Sequence, residues 1–314
     1  MKKELRVSSA HVPVLLDPVI AGLNLHEDGL YIDGTFGRGG HSLAILNRLG
    51  DTGRLLAIDR DPQAIATAAD ALKSDPRFEL TQGEFSELKE YAIKRNLLGK
   101  VDGLLLDLGV SSPQLDEAER GFSFQSDGPL DMRMDPTSGS SAADWLANVK
   151  ERDLRKVLFE FGEKRFAVRI ARAIVAARAL RPIRRTAELA KIVSEAVPSH
   201  GQKRHPATKT FQAIRIRIND ELQQLEQALQ ASTELLGSGG RLCVISFHSL
   251  EDRRVKRFMR EASRVAAPWR GLPEIPEEHQ PPFKLIGKMI SATDEEIEVN
   301  VRSRSARLRV AERL

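Results

Sequence analysis

The stretch Tyr31-Ile32-Asp33-Gly34-Thr35-Phe36-Gly37-Arg38-Gly39-Gly40-His41-Ser42 sets a carboxylate, four glycines and a histidine side by side. Glycines let a backbone take positive φ and come close to a ligand. A helix opening behind them offers free N–H groups to a polar or anionic ligand end. A second acid, Asp59, closes the apolar run Arg54-Leu55-Leu56-Ala57-Ile58. An acid about 20 residues beyond a glycine loop can hold the two hydroxyls of a ribose. The dinucleotide pattern G-x-G-x-x-G fits poorly, since Gly37-Arg38-Gly39 puts Ser42 at the third glycine. Asp33 also has no task beside a pyrophosphate. Two acids around a glycine turn suit S-adenosylmethionine better, which carries a ribose, an adenine and an amino-acid tail but no phosphate. The plain alternative is a tight turn in an α/β core.

Further candidates fall at the ends of other apolar runs. Val101 to Asp107 ends in Asp107-Leu108-Gly109-Val110-Ser111-Ser112-Pro113-Gln114, where Asp107 either faces a ligand or caps the next turn. Phe85 follows the run Phe78 to Gly83, at the height of an adenine, and is either a stacking ring or core. Ser246, His248 and Ser249 end a run that begins at Gly239, on the same rim as Asp107. Phe122 and Phe124 suit stacking on an exposed base and anchoring of their own loop equally well. His11 can approach a ligand or be structural beside Pro13, and His205 before Pro206 fits a helix cap better than a substrate contact. The seven histidines are scattered, with no metal-ligand spacing, and neither a nucleophile elbow nor a P-loop lysine is present.

The elements that must position these groups alternate strand and helix through the first 107 residues, as in a doubly wound parallel sheet. Strands are expected at 30–32, 54–59, 78–83, 101–107, 239–249 and 283–290. A weaker one is expected at 297–301, with 306–310 closing the sheet. Helices are expected at 18–25, 42–49, 63–73 and 251–261. One long helix should start near His205, with Phe211, Ile214, Ile218, Leu222, Leu225 and Leu229 on one face. Between these lies a Gly/Pro-punctuated segment, 115–136, of the kind that serves as a lid or binding loop. Four helices without a strand follow it. The division is therefore a sheet domain of residues 1–114 and 211–314 around an inserted helical domain of residues 115–210, which would recognise substrate.

Charge supports a polyanionic partner. From Lys164 to Arg217 there are 14 lysines and arginines and only two acids, Glu188 and Glu195. Such runs are often a solvated face, but an imbalance this steep is also the footprint of a nucleic-acid backbone. The chain has a net charge of +4 over 314 residues and a pI of about 9.2. No apolar run approaches the length of a membrane span, and the basic start lacks the apolar segment of a signal peptide. The single cysteine, Cys243, cannot form an internal disulfide. A cytoplasmic location is expected.

In combination these motifs resemble the bacterial 16S rRNA (cytosine-N4)-methyltransferase family. The resemblance rests on His11 to Leu15, Tyr31 to Ser42, Leu55 to Pro62, Leu105 to Leu115, Arg120 to Phe124, Gly128 to Pro136, His205 to Ala213 and Ser246 to Arg253. It implies a class I, Rossmann-like α/β methyltransferase sheet with an inserted all-helical domain. It implies methyl transfer from S-adenosylmethionine to a cytidine amine in the decoding region of the small ribosomal subunit. By motif match, the cofactor contacts are Gly39, Gly40, His41, Asp59, Phe85, Asp107 and Gln114. The family's Asn-Pro-Arg near the C-terminus is Asn300-Val301-Arg302 here, without the stiffening of a proline.

The exocyclic amine of cytosine is a poor nucleophile, because its lone pair is delocalised into the ring. An enzyme must align it and accept its hydrogen bonds as the new bond forms. Asp107 can serve as that acceptor or can bind the cofactor. Phe122, Phe124 or Phe247 would have to supply any stacking ring, on a base that is unstacked or single-stranded. A non-catalytic RNA-binding assembly factor is the alternative, as is an enzyme acting on DNA or a small molecule. Asp59→Ala should weaken S-adenosylmethionine binding by about 1–3 kcal/mol through loss of charge-assisted hydrogen bonds; unchanged affinity in titration calorimetry would remove the ribose-binding role.

Overall fold

The structure is a computed structural model that describes residues 13–198, 205–265 and 267–314. The chain forms two compact units, residues 1–109 with 222–314, and residues 110–221.

The first unit is a seven-stranded sheet. Its strands are β1 (Leu30–Asp33), β2 (Arg54–Asp59), β3 (Phe78–Gln82), β4 (Val101–Asp107), β5 (Leu236–Ser246), β6 (Phe283–Ser291) and β7 (Arg307–Arg313), in the spatial order β3-β2-β1-β4-β5-β7-β6. The first five are parallel, and β7 runs antiparallel to both β5 and β6. Residue alternation sends each central strand into two cores. Ile32, Leu56, Ile58, Leu104, Leu106, Leu242 and Val244 belong to one. Tyr31, Leu55, Ala57, Leu105, Cys243 and Ile245 belong to the other. The helices α1 (Leu16–Leu23), α2 (Gly40–Leu46), α3 (Pro62–Ala66) and α4 (Asp70–Lys73) accompany the first strands, and α5 (Leu88–Arg95) leads to β4. A sheet covered on both faces explains why its strands are near-continuous apolar runs. Burial pushes the Cys243 thiol up to about 12, so it is an inert core residue.

The second unit carries α6 (Ser112–Asp116), α7 (Ala142–Asn148), α8 (Glu151–Phe161), α9 (Ala167–Leu180), α10 (Thr186–Ala196) and α11 (Thr208–Ile218). Its core includes Leu146, Leu154, Leu158, Ile170, Ile174, Leu189, Val193, Phe211 and Ile214. The Gly/Pro-punctuated segment is pinned to it. Leu130 N–H donates to Arg184 O at 2.8 Å, and Thr186 N–H to Gly128 O at 2.9 Å. Gly128 is packed so closely that a Cβ would overlap the Ala118 carbonyl. The remaining helices are α12 (Glu221–Leu235), α13 (Ser249–Ala262) and α14 (Asp294–Val299).

Several expected elements differ. The helix expected over 63–73 is two short helices: the Thr67 hydroxyl donates to the Gln63 carbonyl at 2.7 Å, a bond of the kind that bends helices, and Ala69 is extended. The long helix expected after His205 breaks between α11 and α12, where Asp220 takes φ +48°, a left-handed conformation that cannot continue a right-handed helix. Phe211 and Ile214 pack in the helical unit, so the units divide at Glu221 and Leu222 and, on the other side, at Gly109 and Val110. The weak strand expected at 297–301 is instead α14, with Thr293 as N-cap and three acids in its first turn. A 3-10 turn, Val301–Ser305, follows, capped by Asn300, whose Oδ1 accepts from Arg302 N–H at 3.1 Å. Finally, β7 lies between β5 and β6 rather than at the sheet edge.

The break after Ile218 has a function in packing. Buried Asn219 accepts from Met134 N–H at 2.8 Å and donates to Met132 O at 2.8 Å and to Arg215 O at 2.9 Å. Asn219→Ala would leave buried backbone groups unpaired and should cost the helical unit about 1–3 kcal/mol. Urea unfolding followed by the fluorescence of Trp145, in α7, checks this; an unshifted midpoint would refute it.

Candidate cofactor and active site

The C-terminal ends of the parallel strands bring Asp33, Asp59, Gln82 and Asp107 to one rim of the sheet. This is where open α/β sheets bind ligands. Asp33 is fully buried and spans the glycine turn: one carboxylate oxygen accepts from Thr35 N–H at 3.1 Å and the other from the Ser42 hydroxyl at 2.7 Å. Burial pushes its carboxyl up, with the Ser42 bond, the charge of His41 and the Thr35 bond working against that. Asp33 thus shapes the turn. Thr35 does so as well, its hydroxyl oxygen accepting from Asp107 N–H at 2.7 Å and tying the turn to β4.

Asp59 holds the other side. Its carboxylate accepts from Gly37 N–H at 2.7 Å and from Asp61 N–H at 2.8 Å. Burial is the main cause of a carboxyl pushed up to about 6, against the pull of these two bonds. Two accepted bonds leave room on a group with about four acceptor sites, which fits a pair of ribose hydroxyls. Gly37 and Gly39 have φ of +54° and +75°, and a Cβ on Gly37 would meet nothing closer than 3.9 Å. Gly40 faces Pro13, whose ring a Cβ would meet at 2.4 Å. Pro13 thereby lies over the start of α2. His11 lies outside the described residues.

His41 and Asp107 meet across the turn, with Nε2 and Oδ2 3.6 Å apart. Burial pushes the His41 imidazolium down, but the Asp107 carboxylate and the charge of Asp33 outweigh it and leave the group above its ordinary value. Both ring nitrogens of His41 and Oδ1 of Asp107 are buried without a hydrogen-bond partner among the described residues. Buried polar atoms rarely stay unpaired, so these three mark the place of a polar ligand end. Phe85 opens the turn after β3, half-buried, 3.5 Å from where a Gly34 Cβ would lie. The first unit therefore gathers Gly39, Gly40, His41, Asp59, Phe85 and Asp107 around one turn. Gln114 belongs to the second unit, where its Oε1 accepts from Ser111 N–H at 3.0 Å in a capping box.

The other candidates separate into roles. Phe122 is buried, and Phe124 packs on Phe211 and His205 at ring distances of 5.0 and 4.5 Å, so both anchor their loop. His205 Nδ1 accepts from Ala207 N–H at 3.2 Å, as a turn residue before α11. Ser246 is buried. His248 caps α13, and Glu251 accepts from the N–H groups of Phe247 and His248 at 2.9 and 3.1 Å. Asp252 binds Arg307 and Arg309 at 2.9 and 2.8 Å, fixing β7. Phe247 is half-buried and lies 3.5 Å from where a Gly109 Cβ would be, just beyond the end of β4.

The strand order, the antiparallel β7 and the glycine turn between two acids define a class I S-adenosylmethionine-dependent methyltransferase. The residues fit that cofactor by their unpartnered polar atoms and by Asp59, and it would supply an activated methyl group. A family model described as the MraW methylase family matches residues 8–314, and the chain belongs to that family, the 16S rRNA (cytosine-N4)-methyltransferases that its motifs resemble. Similar solved structures include a candidate rRNA methylase from Clostridium thermocellum, at 12% identity over 97% of this chain and 100% of that one, TM-score 0.45. An rRNA methylase from Streptococcus thermophilus matches at 13% over 95% and 93%, TM-score 0.39. Among the described residues, no helix is long and apolar enough to cross a membrane.

Because the Asp59 carboxyl sits near 6, its protonation should compete with hydroxyl binding. S-adenosylmethionine affinity, measured by calorimetry from pH 8 to 5, should weaken below about pH 6, approaching tenfold per pH unit. Asp59→Asn should bind more weakly and lose that dependence. An equal slope in both proteins would refute the assignment.

Proposed function

We propose that this methyltransferase acts on the exocyclic N4 amine of a cytidine in the decoding region of 16S rRNA. The observation that carries the reading is the Asp107 carboxylate at the end of β4, with one oxygen beside His41 and the other unpartnered. Such a group can accept the amine hydrogens and localise the lone pair as the bond forms. His41 Nε2 stands 3.6 Å from Oδ2 of that carboxylate. Phe247 offers a ring for the base beside Gly109. Gly39, Gly40, His41, Asp59 and Phe85, with Gln114 by resemblance, bind the cofactor, and Asp107 serves the amine instead of the cofactor.

The helical unit is the substrate-recognition domain of this reading. It holds 20 lysines and arginines against 15 acids, leaving 28 basic and 29 acidic residues for the rest of the chain. The excess is smaller than the run from Lys164 to Arg217 implies. Acids outside that run pair with it: Glu151 with Arg172, Asp127 with Arg185, Glu163 with Lys209 and Glu221 with Arg215. A net positive unit still favours an RNA backbone over a small neutral substrate.

The test is transfer of labelled methyl to small ribosomal subunits, naked 16S rRNA and DNA in parallel. Label is expected in rRNA as N4-methylcytidine. Asp107→Asn should lower kcat by about 10²–10³-fold. Label in DNA, or S-adenosylmethionine binding without transfer to any of the three, would overturn the reading, and the latter would favour a non-catalytic assembly factor.

A further inference from the structure

A groove of about 220 Å³ runs between α13 and the β6–β7 edge of the sheet unit. Lys256, Arg260 and Arg264 line one wall, and Lys288 and Arg309 the other; no carboxylate lines it. Asp252 engages Arg309. The other four cations are exposed and have no acidic partner among the described residues. Lys256 and Arg260 stand four residues apart on α13, about 6 Å along the axis, a step on the scale of neighbouring phosphates in a single strand, and Arg264 follows just beyond the helix end. Like charges at this spacing weaken a helix. The helix C-terminus favours cations, and sheet edges often carry lysine against aggregation. Neither effect explains why cations from the helix and from two strands converge on one groove.

The floor of the groove is apolar and partly open. Leu285 is 50% and Met289 39% exposed. They flank Gly287, at φ +65°, where the pairing of β6 with β7 skips from Ile286 to Ile290. Cations along a groove follow a nucleic-acid backbone; no aromatic ring lines this one, so it suits the phosphates and not the stacking of bases.

We propose that this groove is a seat for the phosphate backbone of the RNA substrate on the methyltransferase unit itself, in addition to the helical unit. The inference rests on the RNA reading above and adds where the strand is held. A single strand, rather than a duplex, suits the groove's small volume.

The test uses the full-length protein and a fluorescein-labelled single-stranded RNA of decoding-region sequence, with anisotropy read from 50 to 200 mM salt. One variant, Lys256→Gln with Arg260→Gln, alters the helix wall, and a second, Lys288→Gln, alters the strand wall. All three positions are exposed, and unchanged melting and S-adenosylmethionine calorimetry confirm folding. The double variant should weaken RNA binding about tenfold and reduce the slope of log affinity against log salt by about 1.4, and Lys288→Gln should reduce it by about 0.7. KM for RNA should rise with kcat retained. If the wild type binds RNA and both variants keep its slope, the groove proposal falls and the substrate reading stands. If the wild type itself binds no RNA, both fall.

Discussion

A buried and a half-buried carboxylate hold the backbone between β1 and α2. Asp33 reaches forward to the Thr35 N–H and the Ser42 hydroxyl, and Asp59 reaches across from β2 to the Gly37 N–H. Together they fix a turn that glycines make possible and that would otherwise be loose. Burying a carboxylate is expensive unless hydrogen bonds compensate. Each accepts a bond on both of its oxygens. Asp33 reaches only groups of the turn and of α2, whereas Asp59 joins the turn to the loop after β2. His41 and Asp107 extend this logic to β4, because Thr35 ties the turn to the Asp107 backbone.

Much of this was legible in the sequence, for a physical reason. Strands covered on both faces are apolar almost throughout, so β2 and β4 could be bounded closely and their terminal acids stood out. Breaks within helical patterns were not legible. The periodicity of Phe211 through Leu229 continues across Asn219 and Asp220, yet the left-handed turn at Asp220 and the triple anchoring by Asn219 are tertiary facts. Asp33 also carried a misleading signal: its position suggested ligand chemistry, and its contacts are with the turn. Counting charges along a window missed the acids that fold back onto it, such as Asp127 against Arg185. The motif from Ser246 to Arg253 combined two purposes that spacing cannot separate. Glu251 and Asp252 hold backbone and strand in place, and only Phe247 is left near the rim.

The division of labour between the units follows from charge as well as from packing. The sheet unit is close to neutral as a whole, so any contact it makes with a polyanion must be local. The helical unit carries the excess, and its Gly/Pro segment is stapled by backbone bonds and by Asn219 rather than left free. A segment held in this way gives up adaptability for a defined shape.

The placement of β7 bears on how the chain assembles. It is translated after β6 yet lies between β5 and β6. While the protein is being made, β6 leaves the ribosome with no partner, and β5 presents an open edge until Arg307–Arg313 follows. The parallel core of β1 to β4 can form early from contacts close in sequence, whereas the far side of the sheet waits for β7, which follows β6 in the chain. Unpaired edges of this kind are where nascent chains associate wrongly. The buried Asp252, with Arg307 and Arg309 as its partners, ties α13 to β7 once that strand is in place.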